Sequence, residues 1–208
     1  MAVAADGTAA PSVWELRVNR LGIQKSTLCT RTYGTYQAFR DGEPIAQLTG
    51  NVCECPGPGE NDRHGSQKNR KRIKAGRYPL WTVFRPHFHT IKYWPTVDPA
   101  GQHPMPGILL DEEATTVRNG IIIHPGHPPT LYISSIGCLN LTKPLQATEK
   151  MDFVDSRSRV IAVIDSLQNF APAAFRQGQE MPIPNAAIII EGEPDNVLPG
   201  SVDPDAVA

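Results

Sequence analysis

Cysteine is scarce, four residues in 208, at positions 29, 53, 55 and 138, too few to staple a domain of this length in the manner of small secreted scaffolds. Cys53 and Cys55 stand one residue apart, a spacing that suits neither a zinc knuckle nor an easy mutual disulfide. A bridge from Cys29 to one of them stays open. A charge excess is lacking too: 20 Lys and Arg against 21 Asp and Glu leave −1, so no nucleic-acid partner held through phosphates is expected. The longest apolar stretches, such as Val160–Ile164 and Ala186–Ile190, reach five residues. A membrane helix needs about twenty, so no membrane insertion is expected. The start, Met1–Gly7, has no basic opening and no apolar stretch of leader length, which predicts a chain made without an ordinary cleaved signal peptide.

Turn-forming residues are plentiful, with 17 glycines and 20 prolines, yet together they stay below the roughly 25–30% typical of a disordered chain. Between them run short β patterns. Trp14, Leu16 and Val18 alternate with Glu15 and Arg17, and Thr32–Phe39 closes on Asp41-Gly42, a hairpin signal. Further strands are expected at Ile45–Val52, Gly76–Phe84, Gly120–His124, Thr130–Ser135, Cys138–Thr142 and Ala186–Glu191. Pro56–Arg72 lacks periodicity and ends in Lys68-Asn69-Arg70-Lys71-Arg72, which reads as a long surface loop with a solvated basic cluster. One helix is expected within Ala147–Phe170, where Phe153, Val160, Ile161, Ile164 and Leu167 fall on a 3.6-residue stripe. Domain boundaries follow: a flexible N-terminus over 1–12, one mainly β domain with a single substantial helix over 13–193, and a flexible acidic tail over 194–208.

The chemistry concentrates in Ile121-Ile122-Ile123-His124-Pro125-Gly126-His127 and Ser134-Ser135-Ile136-Gly137-Cys138-Leu139-Asn140. A buried strand delivers His124 to a tight turn, and fourteen positions later a glycine precedes Cys138. Nucleophilic catalysis by a thiol needs a base within reach and backbone N–H groups aimed at the developing oxyanion. Cys138 is the candidate nucleophile and His124 the candidate base. Gly137 allows the close turn that exposes the thiol and its amide. The competing reading is a buried structural cysteine beside a histidine that merely closes a strand.

This pattern, His followed by Ser-x-Gly-Cys-x-Asn, resembles the active-site motif of the L,D-transpeptidase (YkuD-type) catalytic domain. Ser135 stands at the motif serine, Gly137 at its glycine, Cys138 at its nucleophile and Asn140 at the polar residue two further on. Ile136 departs from it, because many relatives carry a second histidine there. Ala75-Gly76-Arg77-Tyr78-Pro79 is similar to an Ala-Gly-x-Tyr-Pro strand of the same superfamily. The resemblance implies a β-sandwich with one helix and no cofactor or metal. It implies acyl transfer on peptidoglycan stem peptides, by L,D-carboxypeptidase trimming, D-amino-acid exchange or cross-linking, with Ser135 and Asn140 meeting substrate; His127, beside the turn after His124, is a further candidate contact. Joined to the missing leader, it resembles antibacterial effectors exported to the cell wall by a dedicated secretion or phage route, for which an immunity protein would be the cognate partner.

Two other classes compete. His87 and His89 form a His-x-His that, with His124 and His127, could surround a metal ion as in metal hydrolases. A cell-wall-binding module could keep the fold without the reaction, with Phe88, Tyr93 and Trp94 as cleft or core aromatics. Asp111-Glu112-Glu113 reads as an acidic turn and not as a glycosidase carboxylate pair.

Overall fold

Period-two burial builds the first hairpin of the computed structural model, which describes residues 11–61, 71–84, 107–115, 118–176 and 179–202. In β1 (Trp14–Lys25), Trp14, Leu16 and Val18 point inward while Glu15, Arg17 and Asn19 point out. β2 (Thr30–Arg40) returns antiparallel to it through a turn at Ser26–Cys29. The expected tight turn to β3 (Glu43–Glu54) is present at Asp41 and Gly42, whose φ angles of 54° and 85° suit this hairpin type. β4 (Gly76–Val83), β5 (Gly107–Leu110), β6 (Ile122–Pro125), β7 (Leu139–Thr142) and β8 (Pro182–Glu191) follow.

The eight strands close into a barrel in the order β1-β2-β3-β7-β6-β5-β4-β8. A mainly β architecture with one helix is therefore correct, whereas the expected two-layer sandwich gives way to a closed cylinder. Its cause is β8: it runs parallel to β1, with Trp14 opposite Ala186 and Asn19 opposite Glu191, and antiparallel to β4. One strand thus joins what would have been two free sheet sides.

The barrel's inward residues, among them Leu16, Leu80, Ile108, Ile123, Leu139 and Ile188, share one apolar cluster with α1 (Phe153–Phe170). The helix begins at Asp152, whose side chain accepts from the Asp155 N–H at 2.9 Å. It buries Val160, Val163, Ile164 and Leu167, spacing that keeps all four on one face. No described helix is long and apolar enough to cross a membrane.

Three expectations change. Thr130–Ser135 is not a strand: its carbonyls are taken by side chains, Thr130 by Ser134 Oγ at 2.7 Å and Tyr132 by Arg31 Nη1 at 3.0 Å. Arg72, counted in the basic surface cluster, is buried and ion-paired to Glu193 at 2.8 Å; Lys68, Asn69 and Arg70 lie outside the described residues. The tail runs along β1 as far as Val202, with Ile23 N–H donating to Asn196 O and Leu198 N–H to Ile23 O, both at 2.8 Å.

Candidate active site

β6 and β7 run side by side and parallel, placing Ile123 opposite Leu139 and His124 opposite Asn140. Alternation then sends Ile123, Leu139 and Leu141 into the barrel core and turns His124, Cys138 and Asn140 to the outer face. His124 and Cys138 are thus diagonal neighbours across this parallel pair, on one face.

The His124 ring has a defined tautomer. Nδ1 lies 2.8 Å from the Pro125 carbonyl, which can only accept, so Nδ1 carries the proton and Nε2 holds the free lone pair. Burial lowers the imidazole pKa from 6.5 to about 4, the Pro125 carbonyl opposing the shift and nearby His127 adding to it. The ring is therefore neutral near pH 7 and able to accept a proton. Because the unfolded state binds that proton more readily, His124 lowers folding stability as pH falls from about 6.5 to about 4. The effect is of order 3 kcal/mol by linkage. Urea midpoints at pH 7 and pH ~4.5 are expected to differ less in His124→Gln than in the parent; an unchanged difference contradicts the buried neutral ring.

Asn140 is fully buried, and both ends of its amide are engaged within the protein. Its Oδ1 accepts from the Ser134 N–H at 3.1 Å, and its Nδ2 donates to the His124 carbonyl at 3.1 Å. The same Nδ2 lies 3.3 and 3.4 Å from Nδ1 and Nε2 of the ring, so the amide also touches the imidazole itself. The amide expected to meet substrate is thus occupied within the protein, between the Ser134 N–H and the His124 carbonyl. His127 is exposed at the rim, its ring centroid 5.9 Å from that of His124, where a substrate can meet it.

The Cys138 thiol is partly buried and faces the start of β6. Sγ accepts from the Ile122 N–H at 3.5 Å and donates to the Gly120 carbonyl at 3.6 Å. Among the described residues no hydrogen bond joins Sγ to His124, so proton transfer requires the thiol to leave Gly120 and turn toward Nε2. Burial raises the Cys138 pKa, while the Ile122 N–H, the Arg118 charge and Ser135 oppose that rise. The resting pair is a neutral thiol beside a neutral imidazole, not an ion pair.

Ser135 closes the turn that carries the nucleophile. Its hydroxyl accepts from the Gly137 N–H at 2.8 Å and donates to the Cys138 carbonyl at 2.7 Å. The Gly137 N–H, expected as an oxyanion donor, is thereby occupied. The Cys138 N–H donates to no group among the described residues.

Arg118 is the residue that reading the sequence missed. It is buried and donates to the carbonyls of Glu60, Lys71 and Arg72 at 2.7–2.9 Å. Its guanidinium lies where a side chain at Gly137 would go: a Cβ there would stand 2.1 Å from Nη2, on a backbone with φ of +155°. Three carbonyl bonds keep that guanidinium from moving aside. Gly137→Ala is therefore expected to destabilise the protein by about 1–3 kcal/mol, seen as a lower denaturation midpoint with unchanged slope. A midpoint equal to the parent's contradicts the packing described. Only the arginine's position just ahead of the Ile-rich strand could have marked it.

The rival constellation is only partly placed. His87, His89, Phe88, Tyr93 and Trp94 lie outside the described residues, and among the described residues no three His, Cys, Asp or Glu side chains converge on one point. All four cysteines are free thiols. Comparison with family models, curated proteins and solved structures finds no match for this chain.

Proposed function

We propose that this protein is a cysteine enzyme of the L,D-transpeptidase type, transferring the acyl group of peptidoglycan stem peptides. The observation that carries the reading is the parallel β6–β7 register, which sets a neutral, tautomer-fixed His124 diagonal to Cys138 on the outer face of the barrel. Motif resemblance supplies the substrate class.

The reaction follows from those groups. Nε2 of His124 takes the thiol proton, and the Cys138 thiolate attacks the carbonyl of the diamino acid third in the stem. The Cys138 N–H receives the oxyanion; one such donor contributes about 3–4 kcal/mol in a well-studied protease. Collapse breaks the peptide bond, and the imidazolium returns its proton to the departing D-amino acid. Water then hydrolyses the thioester to a trimmed stem, or an amine takes the acyl group to give an exchanged or cross-linked one. Ile136, half exposed at the rim where relatives carry a histidine, offers no proton acceptor for an incoming amine. This favours trimming by water over the two amine-dependent outcomes, exchange and cross-linking.

Defined tetrapeptide muropeptides, incubated with the protein and a free D-amino acid and read by mass spectrometry, test the proposal. Loss or replacement of the terminal D-alanine is expected. Stem peptides left intact by well-folded protein overturn it.

A further inference from the structure

The β3–β7 ladder pairs Asn51 with Thr142, Val52 with Leu141 and Cys53 with Asn140. Both strands continue one residue further, to Glu54 and Leu139. Continued past its last pair, this antiparallel register would bring Cys55, just after β3, opposite Cys138, just before β7. Directly opposed residues of antiparallel strands have Cα atoms about 4.5–5.5 Å apart and side chains on one face. That range falls inside the roughly 4.4–6.8 Å a disulfide spans.

The Cys138 thiol rests against Gly120 and Ile122 on the β6 side and has to turn across β7 to meet Cys55, whose own contact already lies on the Cys138 loop. Cys55 Sγ donates to the Ser135 carbonyl at 3.2 Å, and Ser135 Oγ donates to the Cys138 carbonyl at 2.7 Å, so the Cys55 thiol is turned toward the very loop that carries Cys138. Exposure differs between the two: Cys138 is partly open, whereas Cys55 is buried. Cys53, the other candidate on β3, stands opposite Asn140 and packs with Tyr33, Leu145 and Met151.

We infer that Cys138 is a site of peroxide oxidation and that Cys55 is its resolving thiol, the two closing into an intramolecular disulfide. The thiolate of Cys138, a minor form because burial raises the thiol pKa, attacks peroxide and becomes a sulfenic acid, and the thiol's proton leaves with the expelled oxygen as water. The Cys55 sulfur then attacks the sulfenic sulfur, the S–O bond breaks, and a second water leaves as the S–S bond forms. The bond ties the end of β3 to the start of β7 and holds Cys138 in a form that dithiol reduction restores. Without Cys55, oxidation proceeds to the irreversible sulfinic acid. This inference goes beyond the acyl-transfer reading and does not need it.

The test uses the full chain, hydrogen peroxide near stoichiometry, alkylation of remaining thiols and peptide mass mapping. A Cys55–Cys138 cross-linked peptide is expected, with Cys138 labelling returning to its starting level after dithiothreitol. In Cys55→Ser the cross-link is absent and Cys138 labelling is not recovered; Cys55→Ala serves if the serine variant fails to fold. Three results overturn the inference: a sulfinic acid at Cys138 of the parent protein without a cross-link, a bridge between any other pair such as Cys29 and Cys53, or four thiols left unoxidised. The readout is a mass and involves no wall substrate. A protein inert on muropeptides can still form the bond, and an active one that forms none refutes only this inference.

Discussion

Alanine at position 138 is expected to take stem-peptide turnover to background while the protein stays folded. Sγ is the only atom proposed to bond the acyl group, and no neighbouring hydroxyl can replace it: Ser135 Oγ is held between the Gly137 N–H and the Cys138 carbonyl. The structural loss is small. The thiol makes two long contacts, to Ile122 N–H and Gly120 O, and packs beside Val83, Leu109 and Ile122. Truncation to alanine should lower stability by no more than about 1–2 kcal/mol. His124→Gln should fall by about 10²–10⁴ in kcat/KM, the range for removing a general base, and should leave some turnover because the thiol remains. The two variants are compared on one muropeptide at one pH, with denaturation midpoints as the control. Full activity in Cys138→Ala disproves the mechanism.

Glu54→Ala is expected to be the most damaging single change to stability. The Arg20 guanidinium is buried, and each of its five N–H groups has an acceptor: two from Glu54, one from Glu193, and the carbonyls of Ile73 and Gly192. Glu54 is equally buried, its bonds to Arg20 measuring 2.7 and 2.8 Å. Glu54 raises the Arg20 pKa against the opposing effect of burial. Removing the carboxylate leaves a cation in the interior with only the half-exposed Glu193 as counter-charge. Breaking one side of such a pair typically costs about 3–5 kcal/mol. For a domain of this size that is a fall of roughly 6–20 °C in melting temperature. Arg20→Met together with Glu54→Ala should recover part of the loss, because neither charge is then stranded. A melting temperature for Glu54→Ala within about 2 °C of the parent contradicts the network as described.

Local signals in the sequence carry far. The Asp41-Gly42 turn and the stripe through Val160, Ile164 and Leu167 each depend on residues within a few positions, and both appear where they were expected. The same holds for the Ile-rich approach to His124. What could not be read depends on partners far along the chain. Arg72 looks like one charge in a solvated run until Glu193, 121 residues away, takes it into the interior. Asn140 looks like a ligand-facing amide until the register places it beneath His124. The sandwich expectation failed for a related reason: nothing near Ile188 announces that β8 will lie between β1 and β4.

The closed order of strands carries a consequence for association. β8 covers Trp14–Asn19 of β1, and the stretch through Val197 covers Ile23 on that same flank. No named strand ends a sheet, yet β7 pairs only with Asn51, Val52 and Cys53 of β3, so residues 43–50 have no named strand on that flank. Among the described residues, strand addition by another chain is therefore confined to that short flank, and self-assembly elsewhere on the barrel has to run through side chains.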